Sequence, residues 1–139
     1  MLIDKQNIKN YIPQREPFIM LDSLLEANDE VFKGSFQILE SNLFLKAGML
    51  SDACLIESIA QTCAAGFGYL GQADESAEPR LGFIGAISKL EVFAHASIHD
   101  EVTTTVQVLS KFDQIYLVEG VAESNGVQLI KCQMKIVQA

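Results

Sequence analysis

The stretch LSDACLIESIAQTCAAGFGYL, residues 50–70, has one carboxylate in its middle, Glu57, among Ala, Cys, Leu, Ile and Phe. An ionised carboxylate taken out of water without a partner is very costly, so a fold that places one in an apolar helix pairs it or uses it. The chemistry open to it is proton transfer or nucleophilic attack. Gln61 follows four residues later, on the same stripe of a helix, where it can support the carboxylate.

The other reactive residues carry weaker signals. Cys54, Cys63 and Cys132 are odd in number, lie in apolar contexts and have no paired metal-ligand spacing. They read as free thiols of a reducing cytoplasm, and no metal is expected. His95 and His99 are four apart in FAHASIHDEV, which reads as a strand end and turn. A His pair there reads as a solvated or hydrogen-bonded surface feature, and its role stays open.

The element that positions Glu57 is a helix, and one apolar nearly all round is wrapped by other structure. Its length matches the roughly 20 residues of a membrane span. However, Asp52, Glu57, Gln61 and Thr62 interrupt it, and an acidic residue at a spanning helix centre costs about 2.5–3.5 kcal/mol. Without a basic flank or aromatic belt it reads as a buried helix, and no membrane partner is expected. The N-terminal MLIDKQNIKNYIP is polar and lacks a signal-peptide core, which points to the cytoplasm. A length of 139 residues suits one domain, spanning 1–139. A net charge of −8, from 18 acidic and 10 basic residues, argues against nucleic acid, whose phosphates need clustered Lys and Arg.

Around the helix the pattern is β. DKQNIKNY, residues 4–11, reads as a short helix capped by Asp4 and ended by Pro13. FIMLDSLLEA reads as a first strand. EVFKGSFQIL reads as a second, with Phe32, Gly34, Phe36 and Ile38 on one face. ESNLFLKAGM is irregular and leads to a helix capped by Ser51 or Asp52. Gly66, Gly68 and Gly71 weaken its end, and GQADESAEPR reads as an exposed loop. RLGFIGAISKLEVF is a glycine-punctuated strand with room for a bulge. EVTTTVQVLSK is rich in β-branched residues. QIYLVEGVAES and VQLIKCQMKIVQ flank Asn125-Gly126, a strong hairpin signal. In the last strand Ile130, Cys132, Met134 and Ile136 face the core. Six strands and one long central helix describe an α+β fold, an antiparallel sheet wrapped around the helix.

Three motifs sharpen that picture. IPQREPFIMLD keeps Pro13, Arg15, Pro17, Phe18 and Asp22 of a Leu-Pro-His-Arg-x-Pro-Phe run ending in Asp, with Gln14 in place of the His. LIESIAQTCAA keeps Glu57, Ala60 and Gln61 of a Glu-Ala-Met-Ala-Gln helix signature. LGFIGAISKLEVF followed by HDEV is similar to a Phe-x-Gly-Ile…Gly-Asp sequence. In this order, over about the whole chain, they resemble the bacterial 3-hydroxyacyl-acyl-carrier-protein dehydratases of the hotdog fold.

The resemblance implies a site without cofactor, shared between two subunits. A His in a Gly-His-Phe-Pro-Gly loop handles the proton beside the thioester. The helix carboxylate of the other subunit helps the hydroxyl leave as water. A helix N-terminal amide at a Pro-Gly step binds the thioester oxygen. Here Glu57 takes the carboxylate's place, with Gln61 in support. Counted back from Glu57 without gaps, the loop His falls at Leu43, followed by a matching Phe44, and the Pro-Gly step falls at Ser51-Asp52. Residues 32–60 contain no histidine, so a shift in alignment does not restore one. The implied substrate-binding set is Leu43, Phe44, Gly48, Met49, the backbone amide of Asp52, and Ala53.

Three functions remain open on this reading. The first is a dehydratase-like protein with weak or no activity. It would bind acyl thioesters on acyl carrier protein or coenzyme A, as a homodimer or as a heterodimer with an active paralogue, in fatty-acid or polyene-type biosynthesis. The second is an acyl thioesterase with Glu57 as base or nucleophile beside the Asp52 or Ala53 amide. The third is a non-catalytic dimeric interaction module. Carriers of this kind are acidic, so docking on a chain of charge −8 would need a local basic patch, for which Arg15, Lys46, Arg80 and Lys89 are the candidates.

Overall fold

The computed structural model describes residues 1–71 and 82–138. A 3-10 turn at Ile8–Asn10 precedes strands β1 (Ser23–Ala27) and β2 (Val31–Gln37). A small hairpin follows, β3 (Leu45–Lys46) and β4 (Met49–Leu50), and then helix α1 (Asp52–Leu70). Four long strands complete the fold: β5 (Gly82–Val92), β6 (Glu101–Phe112), β7 (Ile115–Ser124) and β8 (Val127–Gln138). Six of the strands form one antiparallel sheet in the order β1-β2-β6-β7-β8-β5.

Helix α1 lies against this sheet. Cys54, Leu55, Ile59 and Cys63 are buried in one cluster with Phe32, Phe36, Val102, Val106, Val118, Ile130 and Met134. Burying each large aliphatic or aromatic side chain contributes about 1.5–3 kcal/mol. Two glycines let helix and sheet close up. A Cβ on Gly66 would stand 2.4 Å from the Phe32 ring, and one on Gly120 would stand 2.4 Å from Ile59 Cγ2. Gly66 is therefore a packing position in the helix as well as a poor helix former. Beneath the helix, the hydroxyls of Ser58 and Thr104 meet at 3.3 Å, so these buried polar groups satisfy one another.

Local signals mostly hold. Ser51 is the N-cap, its Oγ accepting from Ala53 N at 3.3 Å. Asn125 and Gly126 have φ of 54° and 75°, the left-handed pair that a tight two-residue hairpin requires. Strand β5 carries two register shifts, at Ile84/Ala86 and Ser88/Glu91. In β8, Ile130, Cys132, Met134 and Ile136 are all buried.

Three expectations change. The helix read over residues 4–11 shrinks to Ile8–Asn10. Its N-cap is Asn7, without a side-chain cap, and Asp4 instead closes the preceding turn, accepting from Asn7 N at 3.0 Å. The first strand begins at Ser23; before it, Phe18 O and Met20 N bond to the side chain of Gln61 on α1. The irregular stretch contains the β3–β4 hairpin, turning at Ala47 and Gly48 with φ of 51° and 79°. The loop read at 71–80 lies, beyond Gly71, outside the described residues, and so does Arg80. No helix among the described residues is long and apolar enough to cross a membrane.

Candidate functional site

Glu57 is half-buried, on the partly open side of α1 with Ala60 and Ala64. The helix spacing puts Gln61 one turn further along, wholly buried. Gln61 Nε2 donates to Glu57 Oε1 at 3.0 Å and to Phe18 O at 2.8 Å. Its Oε1 accepts from Met20 N at 2.7 Å. One carboxamide thus orients the carboxylate and ties the segment after Pro17 to the helix. The Pro-Phe motif is the sequence signal for this contact, but the sequence does not reveal that the backbone of Phe18 and Met20 makes it.

Beside Glu57, Met20, Asn42 and Cys54 form a second cluster. Cys54 Sγ lies 3.4 Å from Met20 Sδ, and Asn42 Nδ2 reaches both sulfurs, at 3.4 Å and 3.7 Å. Burial pushes the Cys54 thiol up to about 12; the Asn42 contact opposes the rise and the charge of Glu57 adds to it. Such a thiol carries no thiolate near neutrality, so it is packing and not a nucleophile. Met20 and Asn42 also line a groove of about 450 Å3, together with Ile8, Ile19, Phe36 and Leu39; Glu57 is not among its lining residues.

The remaining sequence-derived residues gather at the front of α1. Ser51 N donates to Phe44 O at 3.0 Å, which sets the Leu43–Phe44 loop against the helix start. Leu43 is 43% exposed, whereas Phe44 is partly buried against the core. Gly48 and Met49 are exposed on the β3–β4 hairpin. The Ala53 amide is engaged by the Ser51 cap, which leaves it a weak candidate for holding a substrate oxygen. Asp52 occupies the first helical position; its Oδ1 is buried without a hydrogen-bond partner and lies 3.3 Å from His95 Nδ1. The sequence alone does not pair these two residues. His99, in contrast, is 3.9 Å from Glu40 at the surface.

Among the described residues, the candidates for a basic patch are scattered. Arg15 Nη1 donates to the carbonyls of Ile12 and Gln14, at 2.8 Å and 2.7 Å, so it braces its own turn. Lys46 and Lys89 are exposed on separate strands.

Over residues 6–139 the sequence matches the family model ApeP-like, described as ApeP dehydratase. A search of curated proteins gives no match. Among solved structures the fold is similar to the dehydratase heterocomplex ApeI:P from Xenorhabdus doucetiae. The TM-score is 0.86 at 17% identity, covering 95% of this chain and 90% of that one. It is also similar to a hypothetical thioesterase with coenzyme A from Streptococcus pneumoniae, with TM-score 0.67, 11% identity and 84% of each chain covered. A third likeness is the PaaI protein of the E. coli phenylacetic acid degradation operon, with TM-score 0.63, 11% identity, and 83% of this chain and 81% of that one covered. At such identities these likenesses speak for the hotdog fold, a sheet wrapped around one helix. The family match spans nearly the whole sequence, and the chain belongs to the ApeP-like dehydratase family.

Proposed function

We propose that this chain is an acyl-thioester-binding, dehydratase-like subunit that eliminates water slowly or not at all by itself. It pairs with a histidine-bearing relative, to which it supplies Glu57. One observation carries the reading. The loop set against the start of α1 presents Leu43, which cannot move a proton, while Glu57 is kept and oriented by Gln61. A heterodimer of this kind has one complete site, made of this chain's carboxylate and the relative's loop histidine. The other site, built on Leu43, lacks that group.

Strand β5 favours pairing. It is the edge of the sheet next to β8, and residues 84–93 are exposed, with Leu90 at 46% and Phe93 at 52%. A long apolar edge strand is a template for another chain. The similarity to a dehydratase heterocomplex supports a heteromeric partner. In isolation the chain forms a homodimer through the same edge. Residues 1–139 act as one cytoplasmic domain, and the acyl group arrives on acyl carrier protein or coenzyme A from fatty-acid or polyene-type synthesis. The thioesterase-like neighbour with coenzyme A supports thioester binding and gives the second reading, hydrolysis with Glu57 as base or nucleophile.

The test is product analysis with 3-hydroxyacyl and saturated acyl thioesters, on the purified chain alone and mixed with a histidine-bearing hotdog dehydratase. The expected result is enoyl product from the mixture and very slow or no dehydration by the chain alone. Turnover by the chain alone at ordinary enzyme rates, about 1 per second or more, overturns the reading. Release of free acid that Glu57→Gln abolishes replaces it with thioester hydrolysis.

A further inference from the structure

We infer that His95, oriented by Asp52, is a proton-carrying residue that takes over, from a different strand end, the role left vacant at Leu43. This rests on the acyl-thioester reading above and adds a residue to that same site.

Three segments distant in sequence converge at the front of α1. Ser51 N donates to Phe44 O at 3.0 Å, and Leu50 N donates to Ala96 O at 3.4 Å. Met49 forms a bridge with Ser97. The Leu43–Phe44 loop, the helix start and the His95–Ser97 segment therefore share one corner of the fold. There His95 Nδ1 lies 3.3 Å from Asp52 Oδ1. That carboxylate oxygen is buried and has no hydrogen-bond partner. An uncompensated buried acceptor is destabilising, and the imidazole is the polar group beside it.

The ring's own placement suits chemistry. The His95 side chain is 50% exposed. With Nδ1 turned to Asp52, Nε2 on the opposite side of the ring is left for a ligand. A carboxylate that orients an imidazole through one nitrogen, while the other meets substrate, is the general arrangement of an activated base. Once it has taken the substrate proton, the imidazolium offsets the Asp52 charge that would oppose a developing thioester oxyanion at the helix start. His99 has no such support, since both it and Glu40 are solvent-exposed.

The step balances as an elimination. The proton on the carbon next to the thioester passes to His95 Nε2, and its bonding pair forms the new carbon–carbon double bond. The carbon–oxygen bond to the 3-hydroxyl breaks, and the hydroxyl leaves as water with a proton from the Glu57 carboxyl of a second copy. The imidazolium then returns its proton, through water, to that carboxylate. No oxidant or cofactor is needed.

The test uses the full chain, with 3-hydroxyoctanoyl-CoA for turnover and octanoyl-CoA for calorimetric binding. The wild type is expected to dehydrate slowly, and His95→Ala to be about 10²-fold slower, within the usual span for a general base. Added imidazole should restore part of the lost rate, which a purely structural histidine would not allow. Asp52→Asn, which keeps the backbone amide, should lower kcat more than it changes octanoyl-CoA affinity, and His99→Asn should match the wild type. Equal rates for wild type and His95→Ala overturn the proposal, as does a wild type that binds octanoyl-CoA yet never dehydrates. A wild type that does not bind octanoyl-CoA at all overturns the acyl-thioester reading beneath it.

Discussion

Gln61 Nε2 donates to Glu57 Oε1 at 3.0 Å and, through the same nitrogen, to Phe18 O at 2.8 Å. The orientation of the carboxylate is thus coupled to the segment that follows Pro17. Gln61→Leu keeps the bulk but removes three hydrogen bonds and strands the Met20 amide, whose bond is fully buried. A stranded buried donor costs about 1–3 kcal/mol. Urea denaturation should show a loss of that size. A loss below about 0.5 kcal/mol, the scale of an ordinary surface substitution, would mean that the clamp is dispensable.

The contact between α1 and β7 is equally exposed to test. A Cβ at Gly120 would lie 2.4 Å from Ile59 Cγ2, and overpacking of this kind costs about 1–3 kcal/mol. Gly120→Ala should therefore destabilise the fold by that amount. Ile59→Val in the same chain should recover part of it, because neighbouring substitutions couple. Additive losses in the double variant would show that the two do not meet.

The edge strand gives a third prediction. Leu90→Lys places a charge on the exposed β5 edge without touching the core. Light scattering at micromolar concentration should report a dimer for the wild type and a monomer for Leu90→Lys, with unchanged circular dichroism. A monomeric wild type would remove the dimer from the proposed function.

The three cysteines set a limit on alkaline stability. Burial pushes Cys63 and Cys54 up to about 12 and Cys132 up to about 11, from an ordinary value of 9.0. The unfolded chain therefore releases thiol protons first. The stability from keeping these thiols neutral is intact below that ordinary value and is lost as pH rises towards the folded values. Melting temperature should fall steeply above pH 9.0, and less steeply in Cys63→Ala relative to its own neutral-pH value. With the fold intact at mildly alkaline pH, a thiol reagent should label none of the three; in denaturant it should label all.

Much of this molecule follows from short-range rules that a sequence carries by itself. Helix α1 and its Ser51 cap, the Asn125-Gly126 turn and the alternating face of β8 each depend on residues within a few positions of one another. Periodicity and turn chemistry specify such features from neighbouring residues alone. The same holds for Glu57 and Gln61, which share a stripe because they are one helical turn apart. Tertiary structure decided the rest. Gln61 meets Phe18 and Met20 across 43 and 41 residues. β5 lies at the sheet edge beside β8, although β6 follows it in the chain. His95 reaches Asp52 because β5 and the β3–β4 hairpin both end at the front of α1. Such meetings depend on sheet register and on how the helix seats against the sheet. These are long-range outcomes of burying one common core, and no local pattern in the sequence encodes them.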